Sequence, residues 1–223
     1  MSMTIVGPDG QARCRWCAAA PDFLHYHDTE WGFPVADDHR LFEKLCLEGF
    51  QSGLSWRTIL AKRDNFRAAF CNFDFNQVAK FGKRDVERLM KDEGIVRHQG
   101  KIEAAINNAQ RALELISEKG SLAAFIWSYE PDPSKNPEPQ TASTSVESVL
   151  LSKELKKRGW KFVGPTTVYA FMQAMGLIND HVAGCVVRAK VEKSRITFHQ
   201  AAASYPAEQR PMAHYATVPA GNP

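Results

Sequence analysis

The sequence predicts an all-α fold on three observations. Apolar residues recur at helical spacing along most of the chain, helix-capping residues precede these stripes, and glycines follow them. No stretch alternates between apolar and polar residues as a half-buried strand would. With 223 residues, of which 44% are hydrophobic and 24% charged, the chain can form a sizeable core in one large or two small domains.

Hydropathy and cysteine content argue against a membrane-spanning protein, a secreted protein and a disulfide scaffold. A formal net charge of +3 is mildly basic, which permits a polyanionic partner without requiring one. No apolar run approaches the roughly 20 residues that span a bilayer, and the N-terminus lacks a signal-peptide pattern. The five cysteines, an odd number, fit metal ligands or free thiols better than a disulfide scaffold. We therefore expect a cytoplasmic protein without a membrane partner.

The predicted helices follow one another closely in the first half of the chain. The first begins at Asp37 or Asp38 and ends at Gly49, and Ser55 and Asp74 can cap the next two. Apolar stripes predict three further helices. The first carries Val86, Leu89 and Met90 and ends at Gly94, and the second runs from Ile102 to Ile116 and ends at Gly120. The third carries Leu122, Phe125 and Ile126.

A segment rich in proline and small polar residues interrupts this pattern at 130–145, which predicts a surface loop. Helices resume near Val149 and continue to about Cys185. Little periodicity is visible beyond that point. We therefore predict a folded domain at 13–186, an N-terminal extension at 1–12 and a C-terminal tail at 187–223, both poorly ordered.

Two pairs of soft ligands lie at opposite ends of this domain, about 150 residues apart. Cys14 and His27 stand near its start, and His181 and Cys185 near its end. A Cys2His2 set suits a tetrahedral structural zinc, because it leaves no position open for water. Packing or surface roles are the alternative for isolated cysteines and histidines, and Cys17 competes with Cys14 as a ligand.

Glu48 is a carboxylate on a predicted apolar helix face. It follows Leu41 by seven residues and Leu45 by three, so it projects from the same side as these core residues. A buried carboxylate is costly unless it is protonated, hydrogen-bonded or matched by a cation. Either the helix turns this end into a cleft, or Glu48 pairs with a buried donor. The neighbouring Gly49, Gly53 and Trp56 favour a cleft for a planar ligand.

Aromatic residues cluster around the first ligand pair. Trp16 lies between Cys14 and His27, and Tyr26 directly precedes His27. Core packing explains most such clusters in helical proteins. The functional interpretation is a stacking slot for a base, which holds a cationic base more tightly through cation–π attraction.

A basic turn between two predicted helices offers a site for a phosphate. The first helix ends at Gly159 and the second begins near Pro165, and cationic residues, Lys161 among them, surround the turn. Gly164 and Thr166 lie at the N-terminus of the second helix, where backbone N–H groups are free to bind an anion. A solvated charged face is the more common explanation for a charge run.

Seven short motifs together resemble the DNA-3-methyladenine glycosylase I family over residues 13–186. They are Cys14-Arg15-Trp16, Tyr26 to Gly32, Leu47-Glu48-Gly49, Gly53-Leu54-Ser55-Trp56, Gly94 to His98, Phe162 to Thr166 and Asn179-Asp180-His181. Their order, spacing and identity are specific in combination, although each is weak alone.

The resemblance implies a helix-hairpin-helix glycosylase fold in which zinc joins the two ends of the domain. The implied zinc ligands are Cys14, His27, His181 and Cys185. Glu48 would lie in the base pocket, with Tyr26 and Trp56 as walls and Trp16 close by. The hairpin, with Lys161, Gly164 and Thr166, would bind the DNA backbone. Phe23 stands where some members have Tyr, so a hydroxyl there is not available to this chain.

The implied activity is excision of 3-methyladenine from alkylated double-stranded DNA, with the free base as product. None of the lysines lies in the proposed pocket motifs, so we expect monofunctional excision. We also expect a monomer. Because methylation at N3 makes the base cationic, a buried Glu48 would select it over neutral adenine. Two alternatives remain from the residues alone. A zinc-stabilised DNA-binding module would not need Glu48 on an apolar face, and a zinc hydrolase would need an open metal position.

Overall fold

The computed structural model describes residues 2–132 and 138–204, and this part of the chain is mainly helical. The α-helices are α1 (Phe23–Thr29), α2 (Asp38–Gln51), α3 (Trp56–Ala61), α4 (Arg63–Ala69), α5 (Phe75–Val78), α6 (Lys83–Lys91), α7 (Gln99–Lys119), α8 (Leu122–Trp127), α9 (Val146–Lys157), α10 (Pro165–Ala174) and α11 (Val186–Ser204). Short 3-10 helices cover Arg15–Ala18 and Cys71–Phe73. The prediction of a predominantly helical fold is confirmed. Within the described residues, none of the helices combines the length and hydropathy needed to cross a bilayer.

The N-terminal segment forms a small antiparallel sheet. Strand β1 (Thr4–Val6) pairs with β2 (Ala12–Cys14). The Arg13 guanidinium donates hydrogen bonds to the carboxylates of Asp9 and Asp28. The prediction of a poorly ordered extension at 1–12, with no strand, was therefore wrong. Strands of three residues are too short for an alternating pattern to be recognised.

The chain after Cys185 forms the long helix α11, so the prediction of a poorly ordered tail was wrong for residues 187–204. Val187 and Val191 are fully buried, and the buried Arg195 donates to the Gly176 carbonyl and to Glu130. This narrow stripe is difficult to recognise among the surrounding charged residues. Residues 205–223 lie outside the described part.

The predicted helix starts follow from local hydrogen bonding. Asp37 caps α2 by accepting from the Arg40 amide, and Ser55 and Asp74 cap α3 and α5 in the same way. Gly120 follows α7 with a φ of 85°. In the predicted surface loop, residues 130–132 and 138–145 contain no helix or strand.

Gly49 does not end α2, as the sequence had suggested, because the helix continues to Gln51. A Cβ at Gly49 would lie 3.3 Å from the Cβ of Phe162, at the turn between α9 and α10. The glycine therefore allows this turn to approach α2 closely. Helix α10 also packs against α9 and α2, which places the turn beside the C-terminal end of α2.

The start of α2 also supports another helix. The Asp38 carboxylate accepts hydrogen bonds from the backbone amides of Leu122 and Ala123, at 3.1 and 2.8 Å. These amides belong to the first turn of α8, and amides in the first turn of a helix have no acceptor within that helix. A negative charge at this position also interacts favourably with the helix dipole.

We expect Asp38→Ala to lower the free energy of unfolding by about 1–2 kcal/mol, because two amides of α8 lose a charged acceptor. Urea denaturation at neutral pH would measure this change. Asp37→Ala, which removes the ordinary cap of α2, is the matched control and should cost about 1 kcal/mol. An Asp38→Ala protein as stable as the native chain would contradict the supporting role of this carboxylate.

Candidate functional site

Glu48 is buried near the end of α2 and forms an ion pair with Lys44 on the same helix. Glu48 and Lys44 are each only 6% exposed, and the Lys44 Nζ lies 2.7 Å from the Glu48 Oε1. Of the two alternatives for Glu48, the structure therefore shows pairing with a buried donor. The donor stands one helical turn before the carboxylate, at the i, i+4 spacing that brings side chains together.

Two aromatic side chains enclose the same ammonium. The Lys44 Nζ donates to the Tyr26 hydroxyl at 2.9 Å and lies 3.3 Å from the centroid of the Trp56 ring. The Tyr26 and Trp56 rings are 5.4 Å apart. We call Tyr26, Lys44, Glu48 and Trp56 the cation site. It has the features of a cation-binding site in proteins: a carboxylate and electron-rich ring faces around a single positive charge.

Burial affects the ionisation of this site. It lowers the pKa of Lys44 below its ordinary value, although the neighbouring Glu48 acts in the opposite direction. It raises the pKa of Tyr26 well above its ordinary value, and the Glu48 charge adds to this effect. Tyr26 is therefore a neutral phenol at physiological pH. Outside the site, Glu30 and Arg63 form a second ion pair with a separation of 2.6 Å.

Trp16 packs against Tyr26 of the cation site. Its ring centroid is 6.3 Å from that of Tyr26, 5.0 Å from that of Trp31 and 5.7 Å from that of Phe23. Phe23 is buried and meets Trp16 edge to face. Trp16 therefore supports the Tyr26 wall. Trp56 also carries a buried Nε1–H without a hydrogen-bond partner among the described residues.

Three of the four candidate metal ligands converge. One ligand atom from each of Cys14, His27 and Cys185 lies within 4.8 Å of the others, and all three residues are buried. Cys17 is buried as well, but it does not belong to this group. The ends of the domain therefore meet, as the paired ligands had suggested.

The fourth candidate ligand, His181, lies next to this group but is not part of it. Its ring centroid lies 4.9 Å from that of His27, and its Nε2 is buried without a hydrogen-bond partner among the described residues. A buried polar atom without a partner is costly, so this nitrogen fits a metal ligand. The donor set of two sulfurs and two imidazole nitrogens fits zinc.

The Nδ1 atoms of His27 and His181 each have a hydrogen-bond partner. The Nδ1 of His27 lies 2.7 Å from the Asp28 carboxylate, and the Nδ1 of His181 lies 3.1 Å from the Asn179 side-chain oxygen. Arg13 in turn holds Asp28. Such partners at Nδ1 orient a metal-binding imidazole so that its Nε2 can face the metal, and the Nε2 of His27 lies 3.6 Å from the Cys185 sulfur.

Hydrogen bonds from the side chains of Asn107, Asn108 and Ser152 fix the turn between α9 and α10. The Asn108 side chain accepts from the Lys161 amide and donates to the Lys161 carbonyl, each at 2.9 Å. Asn107 donates to the Gly159 carbonyl, and Ser152 donates to the Val163 carbonyl. These bonds fix the hairpin that Gly159, with a φ of 81°, begins.

Gly164, at the N-cap of α10, leaves its helix end accessible. Among the described residues, a Cβ at this position would meet only the Thr167 Oγ1, at 4.0 Å. Lys161 and Thr166 are exposed beside it. Arg158, by contrast, forms ion pairs with Glu118 and Glu154, so the basic run is not wholly free to bind a phosphate.

Lys101 joins the end of α2 to the start of α7. Its Nζ donates to the Phe50 carbonyl at 2.9 Å and to the Ser52 carbonyl at 2.5 Å. These carbonyls lie just beyond Glu48, so Lys101 helps to fix the helix end that carries the carboxylate. Sequence reasoning missed Lys44, Lys101 and Asn108. Only Lys44 had a local signal, which was its spacing from Glu48.

Comparison with known proteins adds independent findings. A family model described as methyladenine glycosylase matches residues 16–189. DNA-3-methyladenine glycosylase 1 of Escherichia coli (strain K12) is 48% identical over 182 residues, covering 78% of this chain and 95% of that protein. The corresponding protein of Haemophilus influenzae is 44% identical, with 78% and 96% coverage.

Solved structures show the same likeness. A crystal structure of 3-methyladenine DNA glycosylase I has a TM-score of 0.72 at 46% identity, covering 78% of this chain and 98% of that one. A substituted 3-methyladenine DNA glycosylase I in complex with 3-methyladenine has a TM-score of 0.73 at 36% identity, with 79% and 97% coverage.

Proposed function

The chain belongs to the methyladenine glycosylase family, and from this premise we propose that it excises 3-methyladenine from alkylated double-stranded DNA. The resemblance found in the sequence is confirmed. The reaction is hydrolysis of the N-glycosidic bond, in which water adds to the sugar carbon and the base departs with the bonding electron pair. We propose that water, and not a lysine side chain, attacks the sugar carbon, so that no covalent intermediate with the protein forms.

The cation site is the observation that carries this proposal. The position between Glu48, Tyr26 and Trp56 holds an ammonium, so its surroundings suit a positive charge with a flat face toward Trp56. Methylation at N3 gives adenine such a charge, whereas neutral adenine would leave the carboxylate uncompensated. The buried Trp56 Nε1–H, which has no hydrogen-bond partner among the described residues, also offers a donor.

The charge of the base decides what Glu48 can contribute. The base is cationic in the substrate and neutral once the bond has broken, so attraction to it stabilises the ground state at least as much as the transition state. We therefore infer that Glu48 acts first in recognition. Extrusion of the damaged nucleotide costs a few kcal/mol, which binding in this site would offset. Tyr26 and Trp56 would form the walls, and Trp16 would hold Tyr26 in place.

We propose that Cys14, His27, His181 and Cys185 bind one structural Zn²⁺. Support comes from the convergence of three ligand atoms and from the buried Nε2 of His181, which has no hydrogen-bond partner in the described part of the chain. With four protein ligands, zinc has no open position for a reactive water. Its role is to join the N-terminal segment and α1 to the start of α11.

We propose that the α9–α10 hairpin binds the DNA backbone, as in a helix-hairpin-helix motif. The accessible N-terminus of α10 at Gly164, with Lys161 and Thr166 exposed beside it, suits a phosphate. Phe162 connects this hairpin to Gly49, the neighbour of Glu48. A DNA strand gripped at the hairpin is thereby positioned relative to the cation site.

We infer that the chain acts as a monomer in the cytoplasm. All residues of the cation site and all four proposed zinc ligands come from one chain, so the site is complete without a second copy. None of the five cysteines, all of which lie among the described residues, forms a disulfide, which fits a reducing compartment.

The native chain should release free 3-methyladenine from methylated duplex DNA, and Glu48→Gln should weaken recognition. In single-turnover assays, we expect the half-saturating protein concentration to rise on the order of ten-fold, because a charged pair at the base is lost. Glu43→Gln, which alters another carboxylate of α2 paired with Arg67, is the control. An unchanged half-saturation with abolished excision would show that Glu48 acts in the chemical step instead. No base release by the native chain would refute the function.

Purified protein should contain one zinc per chain, and Cys14→Ser should lose it. By the cross-link estimate for a loop of about 150 residues, loss of the metal lowers stability by roughly 4 to 5 kcal/mol. Elemental analysis and thermal melting with and without a chelator would measure both effects. Cys17→Ser is the matched control and should retain zinc. Equal loss of zinc from both variants would contradict the proposed ligand set.

Gly164→Ala should weaken DNA binding about ten-fold while leaving the fold intact. The φ of −63° at Gly164 is accessible to alanine, and the added Cβ has space in the chain, but it would obstruct a phosphate at the helix N-terminus. Fluorescence anisotropy with undamaged duplex DNA would measure the change. Gly82→Ala, at the equally open N-cap of α6, should bind as the native chain does. Equal affinities for all three proteins would place the DNA backbone elsewhere.

A further inference from the structure

The Lys44 ammonium occupies the place that a cationic base would need. It lies 3.3 Å from the Trp56 ring centroid, which is stacking distance, and it holds Glu48 at 2.7 Å. A methylated base stacked on Trp56 and paired with Glu48 would coincide with this ammonium. Two positive charges in contact in a buried site repel strongly. Base binding therefore requires Lys44 to leave.

The side chain of Lys44 is suited to such a movement. Its ammonium is held by Glu48, the Tyr26 hydroxyl and the Trp56 ring, and its stem is a flexible chain of four carbons. The other charged groups that act on Lys44, Glu30 and Arg63, form a bidentate ion pair that is neutral overall. The balance of charge in the site is consequently set by Lys44 and Glu48.

We propose, on the basis of the glycosylase function above, that Lys44 is a tethered competitor of the base. A cationic methylated base displaces the ammonium from Glu48 and Trp56, and the ammonium displaces the base after cleavage has made it neutral. Lys44 thereby promotes release of the product.

A cationic base displaces Lys44 and a neutral base does not, because the two bases form different interactions in the site. A cationic base replaces both interactions that Lys44 gives up, the ion pair with Glu48 and the cation–π contact with Trp56. A neutral base replaces neither charge interaction and leaves Glu48 buried without a cation. Lys44 meanwhile remains attached to α2, so its effective concentration at the site stays high.

Lys44→Met removes the competitor and tests the proposal by inhibition. Free 3-methyladenine, added to the excision assay at a mildly alkaline pH where it is neutral, should inhibit Lys44→Met at a concentration about ten-fold lower than it inhibits the native chain. Slower release should also produce a burst of excised base before the steady state. Lys44→Arg retains a cation and should restore the native inhibition constant. Equal inhibition constants for the native chain and Lys44→Met would overturn the proposal. Excision by the native chain in the same assay tests the glycosylase function separately.

A second experiment on the native chain does not depend on any variant. An amine-acylating reagent followed by mass spectrometry should find Lys44 protected in the protein alone. Saturation with 3,9-dimethyladeninium, a permanent cation that carries the N3 methyl group, should expose Lys44 to labelling. The buried Lys101 caps the end of α2 and should remain protected in both states. Continued protection of Lys44 with the cation bound would refute the exchange.

Discussion

The burial of one carboxylate constrains the arrangement of the functional region. Glu48 lies on the helix face that Leu41 and Leu45 give to the core, and a charge in that position requires a cation. Lys44 on the same helix supplies it. The ammonium then needs partners of its own, which α1 provides through Tyr26 and α3 through Trp56. A single buried charge thus determines how these helices meet.

The proposed zinc ligands contact the same aromatic residues. Tyr26 and His27 are adjacent on α1, yet one faces the cation site and the other faces Cys185. Trp16 contacts both rings, with centroid distances of 6.3 and 5.3 Å. Contacts between the two ends of the domain therefore fix the position of α1. Recognition of a base and closure of the domain are consequently coupled through α1.

Sequence analysis identified helix caps, which depend on neighbouring residues, but missed the role of Lys44 and the helix α11, which depend on distant ones. Asp37, Ser55 and Asp74 could be identified as caps because they satisfy amides within the next three residues. Lys44 resembles one half of an ordinary surface ion pair, because its partners Tyr26 and Trp56 come from other helices. Helix α11 was missed for the same reason, since a few buried contacts hold it against the rest of the chain.

The exchange proposed for Lys44 also resolves a difficulty in the reaction. A base that starts as a cation and leaves as a neutral molecule would abandon Glu48 as an uncompensated buried charge, which opposes cleavage. If the displaced ammonium stays attached nearby, it can pair with Glu48 again as the base loses its charge. The carboxylate then has a cation before base binding, in the substrate complex and after cleavage. Binding exchanges one positive charge for another, so Glu48 can favour a cationic base over a neutral one without being left unpaired at any stage.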